Sequence, residues 1–170
     1  WCGSGRSDRC AAGANDRPTE CSGAVVTAAT EGLPSPIGRG HGIRPEIAVA
    51  AIPDDERVWV PQAPGVWFRP LLMDTVRGGW CNLLRVRKSG VLQRHRHPMA
   101  VTGYVIKGRW KYLEHDWTAE AGTFVYEPPG EVHTLTVPAD CPEMITFFSI
   151  AGAMIYLDPN DGIVGYEDVF

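Results

Sequence analysis

Three histidines carry the first chemical signal in the chain. His95 and His97 sit two residues apart in Gly90-Val-Leu-Gln-Arg-His95-Arg-His97, and His133 closes Gly122-Thr-Phe-Val-Tyr-Glu-Pro128-Pro-Gly130-Glu-Val-His133. Residues i and i+2 of a strand project to one face, so His95 and His97 form a two-nitrogen clamp while Arg96 points away. In the second segment a strand runs into Pro-Pro-Gly, a composition suited to a tight reversal, and the next strand delivers the third imidazole. Three neutral imidazoles suit Fe(II), Zn, Cu or Ni and leave positions open for water or substrate, which points to chemistry rather than structure alone.

Other groups near this set have two readings each. Glu127 precedes the Pro-Pro turn, and strand parity with His133 brings its carboxylate inside if the turn keeps register. There it acts as a base toward substrate or as a hydrogen-bond partner of a ligand histidine; otherwise it is a solvated acid paired with Arg or Lys. His115, in the charged turn Glu114-His-Asp116, is set aside as a ligand, and Glu131 is expected to be exposed. Tyr104, Trp110, Tyr112, Phe124 and Tyr126 are candidates for an aromatic substrate pocket, with core packing as the alternative for each.

The elements that must position these residues are short. Apolar runs at Ile47–Ile52, Val58–Val60, Val66–Phe68 and Leu71–Met73 are separated by Pro, Asp and Gly and read as strands. In Trp80–Arg87, Leu84 and Val86 alternate with Arg85 and Arg87, which predicts one buried and one wet face. Further strands are expected at 104–106, 110–113, 124–126, 132–137, 144–150 and 153–157, with turns at Lys107-Gly108, Pro138-Ala-Asp and Asp158-Pro-Asn-Asp-Gly162. No segment has convincing helical periodicity, and no repeat or internal linker divides the apolar part. Strands at this spacing define an all-β sandwich or barrel. Residues 1 to 45, rich in Gly, Ala, Ser, Arg and Pro, read as a flexible N-terminal arm, followed by one barrel over 46–170.

Composition bounds the function. A chain of 170 residues with 44% hydrophobic composition supports one core. Sixteen basic residues against 20 acidic ones, for a net charge of -4, with no basic block, argue against nucleic-acid binding. No apolar run reaches the roughly 18 residues needed to span a bilayer, nor is there a secretory h-region, so a soluble cytoplasmic protein is expected. The five cysteines (Cys2, Cys10, Cys21, Cys81, Cys141) form no CxxC pair and are expected to be free thiols.

On the residues quoted above, the chain resembles the cupin superfamily. Its first motif is a Gly, HxH, then a Glu and a later Gly, and its second is G(x)5PxG(x)2H(x)3N. The second matches from Gly122 through Pro128 and Gly130 to His133, with Val137 in place of the usual Asn. The Glu of the first motif, a fourth ligand in many cupins, falls at Val101. The resemblance implies a double-stranded β-helix (jelly-roll barrel) with a three-histidine metal site lacking that anionic ligand, so that a dianionic or chelating substrate brings the charge.

The run HRHPMAVTGYVIKGRWKYLEHDWTAEAGTFVYEPPGEVHTL, with WVPQAPGVWFRPL before it, is similar to the 2,4'-dihydroxyacetophenone dioxygenases. That likeness implies an Fe(II) dioxygenase, homo-oligomeric, taking O2 and a small aromatic α-hydroxyketone whose C–C bond it cleaves to 4-hydroxybenzoate and formate. With it, His95, His97 and His133 are expected to hold iron, while the residues themselves nominate Glu127, by parity with His133, for proton transfer and Tyr104, Trp110, Tyr112 and Tyr126 for substrate. Two alternatives stay open: a three-histidine dioxygenase for another substrate such as a β-diketone, and a non-catalytic zinc-binding sensor like the cupin half of some anti-sigma factors.

Overall fold

The computed structural model describes residues 46–170; the expected arm, with Cys2, Cys10, Cys21 and His41, lies outside the described residues. After a short 3-10 turn at Glu56–Val58 come twelve strands: β1 (Val60–Ala63), β2 (Val66–Asp74), β3 (Gly79–Val86), β4 (Gly90–Arg96), β5 (Val101–Lys107), β6 (Arg109–Tyr112), β7 (Ala119–Glu120), β8 (Phe124–Glu127), β9 (Val132–Val137), β10 (Met144–Ile150), β11 (Met154–Leu157) and β12 (Ile163–Glu167). They form two six-stranded sheets, in the orders β1-β2-β3-β10-β5-β8 and β12-β11-β4-β9-β6-β7. This is the expected jelly roll. Crossing between sheets lets β5 and β8 of one sheet face β4 and β9 of the other.

Alternation decides which side chains meet between the sheets. In β8, Val125 and Glu127 are buried while Phe124 and Tyr126 are exposed. In β6, Trp110 and Tyr112 are the buried pair. Val125, Trp110 and Tyr112 join Trp80, Val86, Val101, Val105, Leu135, Met144, Phe148 and Ile150 in one core cluster. Burial of this apolar surface is the main force holding the sheets together.

The N-terminal strands depart from the sequence reading. Ile47–Ile52 is not a strand: Ile47, Val49 and Ile52 are exposed, and among the described residues no strand pairs with them. The Val58–Val60 run splits between the 3-10 turn and β1, which includes Pro61; proline is tolerated because β1 is an edge strand. Val66–Phe68 and Leu71–Met73 are one strand, continuous through an irregularity between Pro70 and Leu72. β12 was not foreseen.

The face of the Trp80–Arg87 run expected to be wet is covered at Arg85 and open at Arg87. Leu83 packs with Trp59 and Ile145, and Arg85 is 4% exposed. The Arg85 guanidinium lies 4.1 Å from the Trp59 ring centre and 5.0 Å from that of Trp67, and it donates to both carboxylate oxygens of Glu56 at 3.0 and 2.7 Å. A charge written into a strand is buried here because a planar cation can stack on indole while its two terminal nitrogens stay paired.

Candidate metal centre

β4 and β9 are adjacent and in register, with His95 directly opposite His133. His97 lies one residue beyond β4, yet its ring also turns inward; the three histidines are each no more than 4% exposed. The Nε2 atoms of His95 and His133 are 3.1 Å apart. From the facing sheet β8 brings Glu127, whose Oε2 stands 3.5 Å from Nε2 of both His97 and His133. One potential ligand atom from each of the four residues lies within 4.8 Å of the others, and all four residues are buried.

Neighbours fix the orientation of this group. The Tyr112 hydroxyl donates to Glu127 Oε1 at 2.6 Å, and its ring stacks on His133 with centroids 3.9 Å apart and an 11° tilt. His97 Nδ1 faces the Ala153 carbonyl at 3.3 Å, so its proton belongs on Nδ1 and the Nε2 lone pair points into the group. Gly130 N–H donates to the His97 carbonyl at 2.7 Å, tying the Pro-Pro-Gly turn to the end of the histidine clamp.

Electrostatics favour neutral imidazoles. Burial, then the neighbouring rings of His133 and His97, holds His95 well below its usual value. Burial brings His97 down to about 4 and His133 to about 3. Burial pushes Glu127 up to about 7, against the pull of its bond from Tyr112. Neutral imidazole is the form that ligates a metal. Glu127 Oε2 is buried with no donor, a cost that a divalent cation between the four groups removes. Three imidazoles and one carboxylate fit a divalent first-row metal.

The group opens onto a narrow cavity of about 50 Å³. Its walls are mostly apolar: Phe68, Trp80, Leu84, Val101, Leu135, Phe148, Ile150 and Met154. Gln62, Asn82, Gln93 and Glu167 add polar groups to the lining. Gln62 donates to Tyr156 Oη and Glu167 Oε2, each at 3.1 Å, and Tyr156 donates to the same Glu167 oxygen at 2.6 Å, joining edge strand β1 to β11 and β12.

Of the residues expected to bind substrate, only Tyr112 lines the cavity. Trp110 is fully buried beside it, its indole N–H donating to Thr146 Oγ1 at 2.9 Å. Tyr104 and Tyr126 are 48% and 58% exposed, on the outer face of the β5–β8 edge. Their parity opposes that of Val101 and Glu127, so they turn away from the interior. His115 stacks on Trp117 and faces Glu131 at 3.1 Å, outside the four-residue group. The sequence reading missed the wall from β2, β3 and β10. One signal was present: in the inward row Trp80, Asn82, Leu84, Val86, Asn82 is the polar exception.

A family model described as the ChrR cupin-like domain matches residues 48–154. The chain belongs to this family of cupins. A solved RmlC-like cupin protein from Ralstonia eutropha JMP134 is 35% identical, with a TM-score of 0.64 over 71% of this chain and 81% of that one. An acetylacetone dioxygenase from Acinetobacter johnsonii superposes with a TM-score of 0.61 over 76% of this chain and 91% of its own, at 15% identity. A putative acetylacetone dioxygenase from Methylibium petroleiphilum PM1 gives 0.60 over 74% and 92%, at 16% identity. At these last identities the likeness is one of fold. No curated protein matches the sequence.

Proposed function

We propose that this cupin is an Fe(II)-dependent dioxygenase that cleaves the C–C bond between the carbonyl and hydroxymethyl carbons of an aromatic α-hydroxyketone. The supporting observation is the buried His95, His97, His133 and Glu127 group at the end of a cavity walled by aromatic and aliphatic side chains. Iron held by His95, His97 and His133 would supply Lewis acidity toward the two substrate oxygens and one-electron chemistry toward O2. With 2,4'-dihydroxyacetophenone the balance is one ketone plus one O2 giving one 4-hydroxybenzoate and one formate.

The chain's own residues do the rest. Phe68, Trp80 and Phe148 exclude water and hold an aryl ring. Glu127 Oε2 faces the reacting end, while Tyr112 occupies Oε1 and keeps the carboxylate from turning. The place of Glu127 beside the three histidines is what nominates it as the base that takes the α-hydroxyl proton.

The test is an oxygen-electrode assay of Fe(II)-loaded protein against hydroxyketones and β-diketones. Uptake of O2 with equimolar 4-hydroxybenzoate and formate is the expected result. Uptake with β-diketones alone would replace the substrate class. The family description favours a second reading, a zinc-holding sensor. Stoichiometric zinc in protein purified from its native host, with no O2 uptake after iron loading, would establish it over the enzyme.

A further inference from the structure

Asn82 Oδ1 is buried and has no hydrogen-bond partner. The cause is local. Asn82 stands in an inward row between Trp80 and Leu84, and its partners on the adjacent strands are Pro70 of β2 and Phe148 of β10, neither of which has a side-chain donor. Burying an acceptor without a partner is unfavourable, and an apolar residue of similar size would pack there without that penalty. The side chain lines the same cavity as the metal group.

Placement gives the missing donor a position. β3 and β5 are separated by β10 alone, so their inward side chains are about 10 Å apart at the usual strand spacing. Val101 of β5 lines the metal end, directly opposite Glu127. A benzene ring with polar groups at opposite ends bridges such a gap, and Phe148, between the two strands, offers a ring for it to lie against. Gly103 makes room for Phe148: a Cβ there would stand 3.0 Å from the Phe148 ring.

We infer that Asn82 accepts a hydrogen bond from a hydroxyl at the ring end remote from the ketone, and so selects ring-hydroxylated aryl ketones over unsubstituted ones. The inference rests on the aryl-ketone reading above. It assigns Asn82 a specificity role at the far wall, with no part in the reacting atoms.

The test pairs binding with turnover in the full chain. Calorimetry with 4-hydroxyacetophenone and acetophenone should show about tenfold tighter binding of the phenol. Asn82→Leu should abolish that preference, leave acetophenone affinity unchanged and raise the ligand-free Tm, since an orphaned acceptor is removed. Asn82→Asp, which keeps an acceptor, should retain the preference. The inference is overturned if the parent protein shows no preference, if Asn82→Leu keeps it, or if that variant loses both ligands and Tm together, as a structural amide would. Failure of the parent to consume O2 with 2,4'-dihydroxyacetophenone would instead remove the enzyme reading, while the binding comparison still decides the role of Asn82.

Discussion

Val101 on β5 stands directly opposite Glu127 on β8. In the cupin motif that this chain resembles, the metal-ligating glutamate falls at the position of Val101. Directly paired residues of antiparallel strands have Cβ atoms only about 5 Å apart, so an acid on either strand reaches the same space. A carboxylate therefore stands beside the three histidines, carried by the neighbouring strand, while position 101 itself lacks the acid of the motif, as expected. Val101, 1% exposed, supplies apolar packing where the acid was expected.

Replacing Glu127 by Gln tests this relationship. The variant keeps the shape and an oxygen but loses the charge that faces His97 and His133. Metal affinity should fall ten- to a hundredfold, measured by chelator competition. At saturating Fe(II), kcat should fall by about 10²- to 10⁴-fold, the usual worth of general-base assistance. Unchanged affinity and unchanged kcat together would reduce Glu127 to a packing residue.

The histidines were legible because each motif encodes its own geometry: HxH needs only strand parity, and PxGxxH carries its turn with it. Parity also held more than was taken from it. If Glu127 points inward, Tyr126 must point outward, and the same alternation from Val101 turns Tyr104 to solvent. The cavity wall was not legible, because Phe68, Trp80 and Phe148 come from strands far apart in sequence whose adjacency depends on the order β2-β3-β10. Ile47–Ile52 shows the converse: an apolar run alone does not make a strand, and among the described residues this one joins neither sheet. Arg85 was misassigned because the cover over its face comes from Trp59 and Trp67, outside its own strand.

Two glycines of positive φ separate turn strain from packing. Gly108, between β5 and β6, has φ +72°, and a Cβ there would stand 2.2 Å from the Glu143 carbonyl oxygen and 2.9 Å from Cys141 Sγ. Gly122 has φ +93° with nothing within 4 Å. Gly122→Ala should cost about 1–2 kcal/mol, the left-handed penalty alone. Gly108→Ala must also displace backbone and should cost clearly more, ~3 kcal/mol or above. Urea unfolding of both variants checks the order, and equal losses would show that the Glu143 segment yields freely.

Protonation of the metal group should set the acid limit of the metal-free protein. The folded-state values of His95, His97 and His133 are depressed, so between their unfolded value near 6.5 and about 4 the unfolded chain binds more protons and stability falls as pH drops. Glu127 acts the other way: raised to about 7, its protonated form stabilises the fold at low pH, a contribution lost as pH rises from its unfolded value through 7. Three histidines outweigh one glutamate by 3 - 1 = 2 protons near pH 5.5. At 1.36 kcal/mol per proton and pH unit, the slope approaches about 2–3 kcal/mol per pH unit. Asp55, Glu56, Glu114 and Glu143 are shifted down, so their loss begins only below this window. Urea midpoints of chelator-treated protein should therefore drop steadily from pH 6.5 to 5.5, and His133→Gln should flatten the slope by about one proton. A midpoint that stays level or rises on acidification would mean that the imidazoles are already charged or solvated, and the group would lose its claim to hold a metal.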